Sequence, residues 1–384
     1  MSTELTYLIL TPYTIRKSRT GGIIARLLSR TDLELVAAQI MTPTKEFAEA
    51  YADSLDESVG ERDKLAASLL HTYVSRNFAP SEEGDAHRIM VLIFKGEDAC
   101  QKMFDIVGGI FPESNQTDEI ISGEKIRDTY ADLVYDFENP YKVSYFEPAV
   151  LAPPNNKCVI EKLKLIADFA KTQSNIVKQK SIGEQTLVIL KPDNWRHPST
   201  KPGNIIDMLS KTGLRIIGCK LYTMSLGEAL EFYGPVKGAL RKNLAPKMGE
   251  KAKGVLEREF DIKLAQNAGD KLTEIVGYSW ADDQFSQIVE FMSGVRPETP
   301  DDKKPVKCLV LIYEGDDAIS KIRAVLGPTD PTKAPGGTVR RDFGSDIMIN
   351  TAHASDSPES VKREKGVVKI EENRLVEIIE DFIK

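Results

Sequence analysis

His353 stands in the stretch NTAHASDSPES (350–360), and it is one of four histidines in a chain of 384 residues. An imidazole near its ordinary pKa is largely neutral at physiological pH, so it can attack an electrophilic phosphorus without a separate strong base. Upstream, apolar segments end in Lys191, Arg323, Thr329 and Arg340, and Asn350 precedes the histidine by three residues. Cations and hydrogen-bond donors around one nucleophile suit phosphoryl transfer, in which catalysis is mostly positioning and charge neutralisation. Taken singly, each has a plainer reading: a lysine before a proline can be a solvated strand end, and a lone arginine is most often a surface ion pair. Ser357 and Pro358 read as an N-cap and first helical residue. His71, His87 and His197 fall in variable connections and carry no expected role.

The elements that must position these residues occur twice. YLILTPYTI (7–15) resembles LVILKPDNW (187–195), and GGIIARLLSRTDLELVAAQIMT (21–42) parallels PGNIIDMLSKTGLRIIGCKLYT (202–223). VLIFKGEDA (91–99) matches VLIYEGDDA (310–318), and GEKIRDTY (123–130) matches GGTVRRDF (336–343). The order is kept while the spacing changes, as expected of a duplicated fold with unequal loop insertions. Two homologous domains are therefore expected over 1–178 and 184–384.

Each copy reads as a short aliphatic strand, a turn, and a helix with apolar positions at helical spacing such as Ile205, Ile206 and Leu209. A second strand, helical sequence, a third strand and a second helix follow, and a late strand near GSDIMINTA completes β-α-β-β-α-β. This predicts an α/β (α+β) chain of two ferredoxin-like domains with antiparallel sheets, helices on one face, and helical insertions. The longest insertion spans about 244–284 and is rich in Lys and Glu, which suggests solvated helices, a lid or an assembly surface. The C-terminal stripe of Leu375, Val376, Ile378, Ile379, Phe382 and Ile383 lies among acidic neighbours, favouring packing against a domain over a membrane.

With the motifs in place, the second copy resembles nucleoside diphosphate kinase. The resemblance rests on LVILKPD (187–193), GPTDP (327–331), GGTVRRDF (336–343) and NTAHASDSPESVKRE (350–364), the last similar to the family's N-x-x-H-G-S-D-S signature with Ala354 in place of its glycine. It implies that His353 accepts the γ-phosphate of a nucleoside triphosphate as phosphohistidine and passes it to a diphosphate, in ping-pong fashion. It also implies that Lys191, Arg323, Thr329 and Arg340 hold phosphates, that Asn350 lies near sugar and phosphate, and that Ser355 and Glu364 support the histidine. Tyr233 matches a tyrosine near the catalytic histidine. Arg241 and Phe285 are the nearest matches to an arginine for phosphate and a phenylalanine for the base. Mg²⁺ is implied as part of the bound nucleotide, with no dedicated metal cage in the sequence.

The first copy serves as an internal control. Thr11 stands where the second copy has Lys191, Phe104 where it has Arg323, Ile110 where it has Thr329, and Leu151 where it has His353. Only Arg127, opposite Arg340, keeps its charge. A catalytically silent pseudo-subunit is expected, packed on its partner domain as an internal pseudo-dimer, with further homo-oligomerisation left open. A non-catalytic nucleotide-responsive scaffold is the alternative function.

Composition agrees with a protein of small-molecule partners. With 51 basic and 58 acidic residues the net charge is −7, which gives no broad electrostatic footing for nucleic acid or anionic membrane. No apolar run approaches the roughly 20 residues of a bilayer span. The four cysteines are scattered, without a CxxC pair, so buried small hydrophobes are expected rather than a disulfide or zinc framework. A cytoplasmic location fits that reading.

Overall fold

Thr3–Leu10 (β1) is apolar at nearly every position from Leu5 onward, which marks a strand covered on both faces. In the computed structural model, which describes residues 3–59, 64–110, 123–139, 142–153, 157–178 and 183–384, that is its situation. Leu8 and Leu10 enter one apolar cluster, and Tyr7 and Ile9 the other. The remaining strands are Glu34–Met41 (β2), Ile89–Glu97 (β3), Asp132–Tyr135 (β4), Val143–Glu147 (β5), Val150–Leu151 (β6), Glu184–Leu190 (β7), Arg215–Tyr222 (β8), Cys308–Gly315 (β9) and Ala352–Ala354 (β10).

Two four-stranded antiparallel sheets result, ordered β2-β3-β1-β6 and β10-β7-β9-β8, with β4 and β5 forming a separate ribbon. Both four-stranded orders follow the ferredoxin-like pattern. The late strand is shorter than the sequence suggested and lies further on, so that His353 is itself a strand residue facing Ile189 across the ladder. In the other sheet the residue facing Ile9 is Leu151. Helices do not keep to one face of the first sheet. Thr20–Arg30 packs on one side through Ile23, Ile24 and Leu27, while Lys45–Val59, Lys64–Asn77 and Val159–Ala170 bury Phe47, Tyr73 and Leu163 on the other. The reason is β1 itself, which is apolar on both sides and cannot leave either to water.

The two sheets approach through β2 and β8. Asn373 donates to Ala38 O at 2.9 Å on one side and to Cys219 O at 3.3 Å on the other, and also to Asn175 Oδ1 at 2.8 Å. One apolar cluster runs through the seam, taking Leu35 and Ile40 from β2 and Ile217 and Cys219 from β8. The C-terminal helix Leu375–Ile383 then returns to the first half, burying Leu375 and Ile379 in the cluster that holds Leu163 and Ile166. The apolar stripe read from the sequence is thus a packing face. The stretch 179–182 between the expected domains lies outside the described residues.

Helices Thr20–Arg30 and Lys201–Ser210 cross the seam in backbone contact at Gly21 and Gly203. A methyl on Gly203 would lie well inside contact distance of Ala25 N and Gly21 O. Neither neighbour is a flexible side-chain end, so the helices must separate. Gly203→Ala is expected to lower unfolding free energy by about 3 kcal/mol. Urea denaturation checks this, and a loss within error of zero would contradict the close approach.

Candidate active site

The loop before β10 holds His353 in place. Asp346 Oδ1 accepts the backbone N–H groups of Met348 (2.8 Å) and Ile349 (2.7 Å), and Asn350 Nδ2 donates to Ile347 O (2.7 Å) and Thr329 O (3.1 Å). Thr351 then takes φ = +72°, an unfavourable region for a β-branched residue. Its carbonyl receives Lys191 N (3.0 Å) and Asn194 Nδ2 (2.7 Å), and its hydroxyl donates to Asn194 Oδ1 (3.2 Å). These bonds over-determine the strained residue and aim the next strand.

On that strand, His353 Nε2 lies 2.9 Å from Glu364 Oε2. Ser355 Oγ donates to the same oxygen at 2.7 Å, and Arg363 Nη2 reaches Oε1 at 3.1 Å. Glu364 is buried on the helix Pro358–Val367, whose N-cap is Ser357, accepting Ser360 N at 3.1 Å. With a carboxylate as partner, Nε2 carries the ring proton and Nδ1 keeps its lone pair. Phe232 and Tyr233 flank the ring edgewise at 5.1 and 6.3 Å.

Nδ1 belongs to a side chain lining a cavity of about 820 Å³, whose wall also includes Lys191, Arg323, Thr329, Arg340, Asn350 and Tyr233. Lys191 follows β7 directly, is buried, and donates to Asn350 Oδ1 at 2.6 Å. Burial, and then the nearby Arg340 charge, push its pKa down to about 8. Arg340 spends Nη1 on Gly327 O (2.8 Å) and Nη2 on Ala352 O (3.0 Å), while its buried Nε has no partner. Burial and Arg323 push Arg340 down to about 10. Arg323 is exposed to the cavity from the last turn of Ala318–Leu326. Among the described residues, no carboxylate forms an ion pair with any of the three cations. The buried Tyr233 hydroxyl is likewise without a partner. Three cations without ion-pair partners among the described residues, and an orphaned donor, suit the wall to an oxyanion.

Nine of the sequence-identified residues thus gather here, Ser355 behind His353 and the other eight, Glu364 among them, on the wall. Phe285 and Arg241 do not come to the phosphate end. Phe285 is buried in the core, and Arg241 pairs with Asp282 at the surface through Nη2–Oδ2 at 2.5 Å. The helix Tyr278–Ser293 instead turns Trp280, Gln284, Ile288 and Phe291 toward the cavity, with Ala281, Phe285 and Val289 toward the core. The i, i+4, i+8, i+11 spacing of that cavity face was visible in the sequence, but so was the core face one residue on. Arg363 went unnoticed beside Glu364. It also donates to Phe232 O at 2.9 Å, tying the carboxylate to the helix that carries Tyr233.

Among the described residues no cluster of three or more His, Cys, Asp or Glu could hold a metal ion. Asp346 and Asp356 line the cavity, Asp346 with Oδ1 engaged by backbone N–H groups and Asp356 by Ser360 Oγ at 2.6 Å. This donor set fits a cation carried mainly by ligand phosphates.

Comparison with known proteins bears on the family of the chain. Residues 280–372 match the family model described as nucleoside diphosphate kinase. A nucleoside diphosphate kinase of Staphylothermus marinus is 30% identical over 185 residues, covering 48% of this chain and 92% of the relative. That of Acidiphilium cryptum is 30% identical over 181 residues, covering 47% and 89%. The Aquifex aeolicus nucleoside diphosphate kinase crystal structure aligns at 26% identity with a TM-score of 0.30, covering 48% of this chain and 94% of that one. The sequence relatives, matched over nearly their whole length, decide the matter: the chain belongs to the nucleoside diphosphate kinase family, a family of phosphotransferases.

Proposed function

We propose that His353 carries the γ-phosphate between nucleotides in the second half of the chain. The observation that carries this reading is a histidine with Nε2 bound to Glu364, facing a cavity in which Lys191, Arg323 and Arg340 lack carboxylate partners. The Nδ1 lone pair attacks the γ-phosphorus, the bond from that phosphorus to the β–γ bridging oxygen breaks, and the nucleoside diphosphate leaves with those electrons. A second diphosphate attacks the phosphohistidine through its terminal oxygen and restores the ring. Glu364 holds the Nε2 proton and stabilises the positive charge that develops on the imidazole. Lys191, Arg323 and Arg340 neutralise phosphate oxygens, and Thr329 and the Tyr233 hydroxyl add donors. Asp346 and Asp356, on the same cavity wall, would face a Mg²⁺ carried in with the nucleotide, which would supply further neutralisation of phosphate charge. Trp280 and Phe291 are the aromatic residues proposed to meet the base.

The first half, taken as 1–178, is proposed to be silent in this reaction and the second, 184–384, to be the catalytic domain. Support comes from Leu151, which faces Ile9 as His353 faces Ile189. Thr11 directs its hydroxyl to Glu147 at 2.9 Å, so a carboxyl occupies the neighbourhood where the second half has a cation.

Incubation with γ-labelled ATP and Mg²⁺ tests the reading. Wild type is expected to yield an acid-labile, base-stable phosphoenzyme, and His353→Ala none; equal labelling of both, or none of wild type, removes the phosphohistidine and leaves a nucleotide-responsive scaffold.

Lys191 gives a second test. It is charged below about 8 and neutral above, so the free enzyme loses a phosphate-binding charge as pH rises. kcat/KM is therefore expected to fall on the alkaline side, approaching about tenfold per pH unit if the charged form alone binds productively. Lys191→Met is expected to have low activity and to lack that limb; a Lys191→Met profile that still falls from the same pH would assign the limb elsewhere.

A further inference from the structure

A second cavity, of about 340 Å³, opens at the seam between the halves. The first half contributes Arg16, Ser18 and Arg88, and the second Ser210, Arg215 and Tyr313. No carboxylate is among its lining residues within the described part of the chain. Arg215 pairs with Glu314 at 3.1 Å, behind the cavity wall. Arg16 and Arg88 pair with no carboxylate among the described residues. Arg88 is half-buried and donates Nη1 to the backbone oxygen of Ile216, so it reaches across the seam. The Arg88 pKa is pushed down to about 10 by burial and then by the like charge of Arg215, against an opposing pull from Glu314. An independent feature is Tyr313, which is 1% exposed and whose buried hydroxyl has no hydrogen-bond partner. Three guanidinium groups served by a single carboxylate favour an anion, and Tyr313 adds a lining residue whose donor is free among the described residues.

The cavity at another part of the seam, about 250 Å³, makes a useful contrast. It contains Arg196 and Lys307 but also Asp32 and Glu34, and Lys307 pairs with Glu34 at 2.9 Å. Its carboxylates stand in the wall itself, whereas Glu314 stands behind the wall of the other cavity and leaves Arg16 and Arg88 without an ion pair among the described residues.

We propose that the cavity lined by Arg16, Arg88 and Arg215 binds a small phosphate-bearing anion, held between groups from both halves. Its volume lies at the low end for ligand pockets, and Tyr313 is its only lining aromatic, so the ligand is the phosphate moiety rather than a whole nucleotide. Binding there ties the halves together at a place remote in sequence from His353. It is independent of the phosphotransfer reading.

The probe is inorganic pyrophosphate, titrated calorimetrically without nucleotide into the full chain carrying Lys191→Met and Arg323→Met, so that the catalytic cavity lacks two cations. Saturable binding is expected, weakened about tenfold or more when Arg16→Ala and Arg88→Met are added. Because Arg88 also holds Ile216, a second set with Arg16→Ala and Arg215→Met leaves that bond intact and is expected to show a loss of the same order. Both sets are expected to retain phosphotransfer when Lys191 and Arg323 are restored. Absence of saturable binding, or binding unmoved by both sets, overturns the proposal. ATP is expected to bind this chain no more tightly than pyrophosphate, and clearly tighter ATP binding overturns the assignment to a small anion.

Discussion

Arg340 joins the end of one helix to the last strand of the sheet, and the position of His353 depends on that joint. Its two terminal nitrogens bond Gly327 O, just beyond Ala318–Leu326, and Ala352 O, one residue before the histidine. The first half repeats the wiring: Arg127 Nη1 reaches Gly108 O at 2.5 Å and Nη2 reaches Val150 O at 3.1 Å. Two buried carbonyls would otherwise lose their donors, which explains an arginine in both halves whether or not chemistry follows. The difference lies in the third nitrogen. Arg127 Nε finds Pro148 O at 3.4 Å, whereas Arg340 Nε has no partner and its charge stands beside Arg323 and Lys191. One scaffold thus serves as a closed joint in the first half and as an open electrostatic site in the second.

The replacements around that joint are mutually consistent. Ala149, at φ = +62°, takes the backbone place of Thr351 and likewise receives the N–H of the residue ending the first strand, Thr11. Where Lys191 meets Asn350, Thr11 meets Glu147, and Tyr73 donates to the same carboxyl at 2.5 Å. Burial raises the Glu147 pKa, while its hydrogen bonds oppose the shift. Removing a buried cation while leaving its acceptor would strand a polar group; replacing both partners together does not. The outcome has the opposite electrostatic preference, and an incoming phosphate would meet an acid.

The repeat, the sheet order and the gathering of residues around His353 were legible in the sequence because they rest on local patterns: strand runs, a capped helix, and a histidine motif followed by Ser355 and Glu364. The base end was not legible. Along Tyr278–Ser293 two apolar faces run side by side, and one carries Phe285 while the other carries Trp280 and Phe291. Helical periodicity gives both faces; packing against Leu226–Asn243, which brings Phe232, Val236 and Leu240 to the same cavity, decides which one meets it. Arg241 was misplaced for the same reason. It lies one residue beyond Leu240, on the face of Leu226–Asn243 that meets Asp282 rather than the cavity. The paired coverage of the first sheet could have been read from β1, whose apolar run has no polar alternation.

Contacts away from the cavity join the two halves. The helix bearing Glu364 leads into residues 368–374, which cross the seam through Ile370 O and Asn373 before the final helix docks on the first half. The second half therefore has no wholly internal anchor for its last segment: Leu375 and Ile379 find their apolar partners on Val159–Ala170. Helix Thr20–Arg30 supplies a further support, meeting Lys201–Ser210 at the Gly21–Gly203 contact. Neither support belongs to the cavity around His353, because Leu163 and Gly21 are not among its lining residues. What the first half must keep is the core and the seam, and those are the parts in which its sequence still resembles the second.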